Sequence, residues 1–131
     1  MKVLALDFGS ARTGVAVSDP TGTLARPLEV VRRAASKDGL ARVVELVERE
    51  QAELVVVGLP LTLRGEHGEQ ARETERFVEA LRARVGVPVE SFDERFTTAL
   101  AGQDGGGAAE DARAAAHLLT SYLQWTTRHH A

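Results

Sequence analysis

The segment joining the first two apolar stretches of this chain is too short to hold a helix. Lys2–Phe8 (KVLALDF) and Gly14–Asp19 (GVAVSD) are separated by only a few residues, a turn that begins Gly9-Ser10-Ala11-Arg12-Thr13. Parallel neighbours need a crossover of a dozen or more residues, so these two strands must run antiparallel. Pro20-Thr21-Gly22 turns the chain again, and Leu24–Arg32 makes a third strand that Pro27 marks as an edge. The chain therefore opens with an antiparallel three-stranded meander.

Helical spacing follows. Leu40, Val43, Val44 and Val47 recur at i, i+3, i+4 and i+7, which predicts a helix over Lys37–Gln51. Leu54–Leu59 (LVVVGL), stopped by Pro60, has the β-branched profile of a parallel strand buried on both faces. A polar loop over Leu63–Gly68 leads to a second helix marked by Ala71, Thr74, Val78, Leu81 and Val85, then a fifth strand over Val87–Phe92. Gly102–Gly107 (GQDGGG) is a flexible loop by composition, and Ala108–Thr127 is an alanine-rich final helix. The order β-β-β-α-β-α-β-α predicts an α/β fold: a five-stranded mixed sheet, with β1-β2-β3 an antiparallel meander, β1, β4 and β5 parallel, and helices on both faces. A chain of 131 residues fits one domain, 1–131.

Composition narrows the chemistry. With no cysteine there is no disulfide framework, thiolate zinc site or cysteine nucleophile. No apolar run approaches a membrane span and the N-terminus does not read as a signal peptide, so the expectation is a cytoplasmic protein without membrane contact. The formal net charge of −3 argues against coating nucleic acid non-specifically. Basic residues are nevertheless concentrated early in the chain, mostly as arginine, whose planar fork suits phosphate.

Acids at three places in the chain stand out. Asp7 lies in an otherwise apolar strand, where a carboxylate is costly unless paired, hydrogen-bonded or bound to a metal; a plainer reading is a strand-end aspartate capping the Gly9–Arg12 turn. Asp93 and Glu94 end the fifth strand. Parallel β1, β4 and β5 deliver their C-terminal ends to one edge, where open α/β sheets place ligands. Asp111 shares a helical stripe with Ala115, Leu118 and Tyr122, which points it toward that edge, although an acid at a helix start is also favoured by the helix dipole. Converging carboxylates without Cys or His partners suit Mg²⁺ or Mn²⁺, which can activate water for phosphodiester hydrolysis.

In its order of motifs (LALDFGSARTGVAVSD, VVVGLPL, FDERFTT, then an aspartate heading a helix that continues LLTSYL) the chain resembles the YqgF-type Holliday-junction-resolvase family. The resemblance covers nearly the whole chain. It implies a ribonuclease-H-like fold and a divalent-metal-dependent nuclease acting on structured RNA, as in pre-16S rRNA trimming, or on branched DNA. It also implies Asp7, Glu94 and Asp111 as catalytic and metal-binding acids, with Asp93 the competitor for the second role. Ser10, Arg12, Arg95 and Thr97 become candidate substrate contacts, Thr97 and Thr98 alternatively capping a short helix, and Arg95 alternatively neutralising the neighbouring acids. Gly58 and Pro60 match a turn expected to admit substrate backbone. One departure is the stretch before the final helix, which is short and glycine-rich, with Asp104 and Glu110 where the family carries Lys and Arg. A resolvase cutting symmetric strands would act as a homodimer. Two other readings compete: a nucleic-acid-binding or ribosome-assembly module without hydrolysis, and an actin-like nucleotide-binding fragment suggested by the N-terminal hairpin. The latter would require a second domain to clamp its nucleotide.

Overall fold

The computed structural model describes residues 1–62, 64–97 and 108–129. Five strands form one sheet: β1 (Val3–Asp7), β2 (Arg12–Ser18), β3 (Ala25–Arg32), β4 (Leu54–Leu59) and β5 (Val89–Asp93), in spatial order β3-β2-β1-β4-β5. β1 pairs antiparallel with β2 and β2 with β3, while β1–β4 and β4–β5 are parallel. The helices are α1 (Lys37–Arg49), α2 (Glu69–Arg82) and α3 (Ala108–His129), with a short 3₁₀ turn η1 (Glu94–Phe96) directly after β5. Among the described residues no helix is long and apolar enough to cross a membrane.

Side-chain alternation divides the sheet into two cores. Leu4, Leu6, Val15, Val55 and Val57 face one side, where they pack with Val43, Leu46, Val47, Phe77, Val78 and Leu81 of α1 and α2. Val3, Ala5, Ala16, Val56 and Phe92 face the other, against Ala115, Leu118, Leu119 and Tyr122 of α3. Leu4, Leu6, Val55 and Val57 have no exposed surface. Burying each such side chain is worth roughly 1.5–3 kcal/mol, so these two layers hold the sheet's position relative to its helices.

The boundaries differ from the sequence expectation in ways that have local causes. β2 begins at Arg12, because the turn closes early: Gly9 N–H donates to Thr13 Oγ1 at 3.4 Å, and a Cβ on Gly9 would come within 2.5 Å of the Arg12 carbonyl oxygen. β5 begins at Val89, after Pro88, and continues through Asp93. α1 stops at Arg49, and Gln51 turns the chain with φ of 55°. Pro27 sits on the edge strand as expected, opposite Ala16 and beside a register irregularity between Val15 and Ala16. The loop expected over Gly102–Gly107 lies outside the described residues, as do Thr98 and Asp104.

Candidate active site at the sheet edge

Alternation along β1 places Asp7 on the α3 face, in line with Val3 and Ala5. Its neighbours in that row are glycines. Asp7 pairs with Gly14 of β2, and the β1–β4 register continues from Leu6–Val57 to bring Gly58 alongside. Each glycine leaves room for something specific. A Cβ on Gly14 would lie 1.9 Å from the Asp111 carbonyl oxygen, so the missing side chain lets the start of α3 rest on β2. A Cβ on Gly58 would lie 2.9 Å from Glu94 Oε1 and 3.1 Å from Leu118 Cδ2. The expectation that Gly58 admits substrate backbone is therefore corrected: in this structure the space holds the Glu94 side chain.

η1 decides which of the two adjacent acids turns inward. Asp93 is its N-cap, accepting from Arg95 N–H at 2.9 Å, and the Arg95 guanidinium grips the same carboxylate, Nη2 lying 2.6 Å from Oδ2. This pairing holds Asp93 below the ordinary carboxylate range, chiefly through the hydrogen bond from Arg95. Glu94 instead turns inward over Gly58, bringing its carboxyl against that of Asp7. Burial, followed by the charge and hydrogen bond of Asp7, pushes Glu94 up to about 7, and burial also raises Asp7. Ionisation of Asp7 thus opposes that of Glu94.

Asp111 stands close enough to add to the electrostatic penalty on Asp7. Arg12 Nε lies 2.9 Å from Asp111 Oδ2, yet this buried oxygen accepts no hydrogen bond, the geometry giving an ion pair without a directed N–H. Among the described residues no three acidic or histidine side chains stand close enough together to enclose a metal ion. The structure thus brings Asp7 and Glu94 into contact and leaves Asp111 beside them, engaged with Arg12.

The remaining candidates are distributed around this centre. Ser10 Oγ donates to Glu73 Oε2 of α2 at 3.3 Å on the exposed surface. Arg95, which sequence left open between phosphate and neighbouring acid, is paired with Asp93 and packs over Gly65. Thr97 does not cap the start of η1, since Asp93 does; it closes the turn, its N–H donating to the Glu94 carbonyl at 3.0 Å. Thr97 Oγ1 is buried and makes no hydrogen bond among the described residues. Sequence reasoning missed the steric roles of Gly14 and Gly58. The signal was available in two glycines lying inside strands, where they usually mark close approach.

An α/β sheet with acids gathered at the C-terminal end of its first strand, under the start of a final helix, defines a nuclease-like architecture. The fold matches that of Thermus thermophilus RuvC in complex with a Holliday junction substrate, with a TM-score of 0.62 and 23% identity over 99% of this chain and 96% of that one. The family model RuvX, described as Holliday junction resolvase, matches residues 1–125. Curated relatives named "Putative pre-16S rRNA nuclease" include one from Chloroflexus aggregans, 46% identical over 77% of this chain and 71% of the relative. Another, from Moorella thermoacetica, is 45% identical over 79% and 74%. The chain belongs to the RuvX family of nucleases.

Proposed function

We propose that this chain is a divalent-metal-dependent nuclease of structured nucleic acid in which Asp7, Glu94 and Asp111 are the catalytic and metal-binding acids. The observation that carries the reading is the placement of the Glu94 carboxyl over Gly58, where it meets Asp7 at the sheet edge. Two partly buried acids with raised pKa values, one ending β1 and one in the turn after β5, form a site whose charge a bound cation would offset.

The residues fit Mg²⁺ or Mn²⁺. Their donors are hard carboxylate oxygens, and Asp111 Oδ2 is a buried acceptor still without a hydrogen bond. Asp7 and Glu94 would hold the ion; Asp111, which is paired with Arg12 and does not close a three-acid cluster in this structure, would have to turn from Arg12 to become the third donor. Bound there, such ions supply an activated water and charge stabilisation at the leaving oxygen. The protein's own contribution is positional. Gly58 gives Glu94 its place, Asp93 keeps Arg95 and η1 in register, and Arg12 offers a guanidinium to substrate phosphate beside Asp111. Thr97 and Ser10 are further polar contacts for substrate at the same edge.

Similarity to curated relatives supports pre-16S rRNA as the substrate, and the family description supports a branched DNA junction. We favour RNA processing, in a cytoplasmic protein whose residues 1–131 act as one domain. Cleavage of branched DNA would call for a symmetric homodimer. The test is cleavage of a pre-16S rRNA fragment and of a four-way DNA junction with Mn²⁺, comparing the native chain with Asp7→Asn. Loss of cleavage in the variant supports the assignment. Tight binding by both proteins without turnover under either metal would instead make the chain a binding module on a nuclease scaffold.

A further inference from the structure

Residues 1–42 hold seven basic side chains against four acidic ones, and three of the seven gather at one corner of the sheet. Arg12 opens β2 and Arg32 closes β3, and the two are direct cross-strand partners. Both lie on the face that β2 turns toward α3, at the same edge as Asp7. Arg33 follows at once, its N–H donating to the Ala11 carbonyl at 3.0 Å. All three side chains are exposed.

Like charges at directly opposed positions of an antiparallel pair repel one another. Arg12 has an anionic partner in Asp111. Among the described residues the side chains of Arg32 and Arg33 have none. The corner is also held firmly. Arg33 adopts φ of 47°, rare for a side chain of this kind, and its carbonyl accepts from Ser36 N–H at 2.8 Å and Ser36 Oγ at 2.6 Å. The backbone of α1 presses against it, since a Cβ on Gly39 would lie 2.0 Å from the Arg33 oxygen. Positive charge at Arg32 and Arg33 is thus concentrated, without an anionic partner among the described residues, and carried on a fixed backbone at the same end of the sheet as Asp7.

We infer that Arg32 and Arg33, with Arg12, form a phosphate-binding corner that holds the nucleic-acid backbone alongside the acidic centre. Guanidinium groups bind phosphate through paired, charge-assisted hydrogen bonds, and such contacts set position without reading base sequence. The inference rests on the nuclease reading for its location only, and binding is measurable without cleavage.

The experiment uses the full chain in EDTA with two fluorescein-labelled probes, a hairpin RNA carrying a single-stranded flank and a four-way DNA junction, over a salt series. Removing one arginine–phosphate pairing should reduce the slope of log K against log salt by roughly 0.7–0.9. Arg32→Ala/Arg33→Ala is expected to lower both slope and affinity on at least one probe, with an unchanged melting temperature, and lysine at both positions should restore part of the slope. Arg84→Ala, at an exposed arginine just past the end of α2 that has no side-chain partner among the described residues, should change neither. An unaltered slope in the double variant, or an equal fall in Arg84→Ala, would overturn the inference. Salt-dependent binding that needs Arg32 and Arg33 in a protein that cleaves nothing under Mn²⁺ would remove the nuclease reading and leave the corner standing.

Discussion

Glu94 occupies the space that a side chain on Gly58 would need: a Cβ there would approach its Oε1 to 2.9 Å and its Cγ to 3.0 Å. The strand that lines the site is thus shaped around the acid that follows its neighbour. The obstructing atoms belong to side chains, Glu94 and Leu118, and not to backbone. Gly58→Ala should therefore fold, with stability within about 1 kcal/mol of the native chain. Its cleavage rate should fall about 100-fold, the scale expected from displacing a catalytic group by about 1 Å. Urea denaturation and a cleavage assay on the same preparation check both halves.

Gly14 predicts the opposite balance. There a Cβ would come within 1.9 Å of backbone at Asp111, and α3 cannot yield without leaving the sheet. Overpacking usually costs about 1–3 kcal/mol, and a clash with backbone belongs at the upper end or beyond. Gly14→Ala is expected to show a clearly lowered denaturation midpoint. A midpoint equal to that of the native chain would mean that α3 does not rest on β2 as described.

The adjacent acids Asp93 and Glu94 should behave differently. Asp93 serves η1 and Arg95, so Asp93→Asn loosens a turn and is expected to reduce cleavage by less than about tenfold, a loss of about 1.4 kcal/mol in the barrier. Glu94→Gln removes one of the two carboxylates in contact and should lose at least about 100-fold, by analogy with removal of a group that acts directly on transition-state charge. Equal effects would leave the two roles unassigned.

Much of this was legible in the residues. The short link after β1 fixed the meander, the β-branched run at Leu54–Leu59 fixed the central parallel strand, and the helical stripe of Asp111, Ala115, Leu118 and Tyr122 does face the sheet. Periodicity reports which face a residue occupies. It does not report which of two consecutive acids turns inward, because that depends on η1, a single turn whose cap competes for Asp93. Nor did it show that Arg12 would be drawn to Asp111, or that Gly58 makes room for Glu94, since both are contacts between segments far apart in the chain. The element boundaries were set by a proline, a tight turn and a positive-φ residue, none of which leaves a periodic trace.

The acidic pair gives the metal-free protein a pH dependence of definite sign. Burial and Asp7 hold Glu94 at about 7 in the folded chain, above its ordinary 4.5. Between those values the folded state keeps a proton that the unfolded state has released, so stability falls as pH rises through the interval and levels off above it. Urea midpoints in EDTA should decline from about pH 5 to about pH 7.5, and Glu94→Gln should flatten that decline. A native-chain midpoint that rises across the same interval would show that Glu94 ionises freely.

Mn²⁺ binding, measured by calorimetry near neutral pH, addresses the acidic centre without reliance on any substrate. The native chain should bind the ion and release protons as it does so, because Glu94, raised to about 7, gives up its proton to the incoming charge. Asp7→Asn and Glu94→Gln should each lose most of that affinity. Undiminished Mn²⁺ binding in both variants would place the ion elsewhere and contradict the site proposed for Asp7 and Glu94.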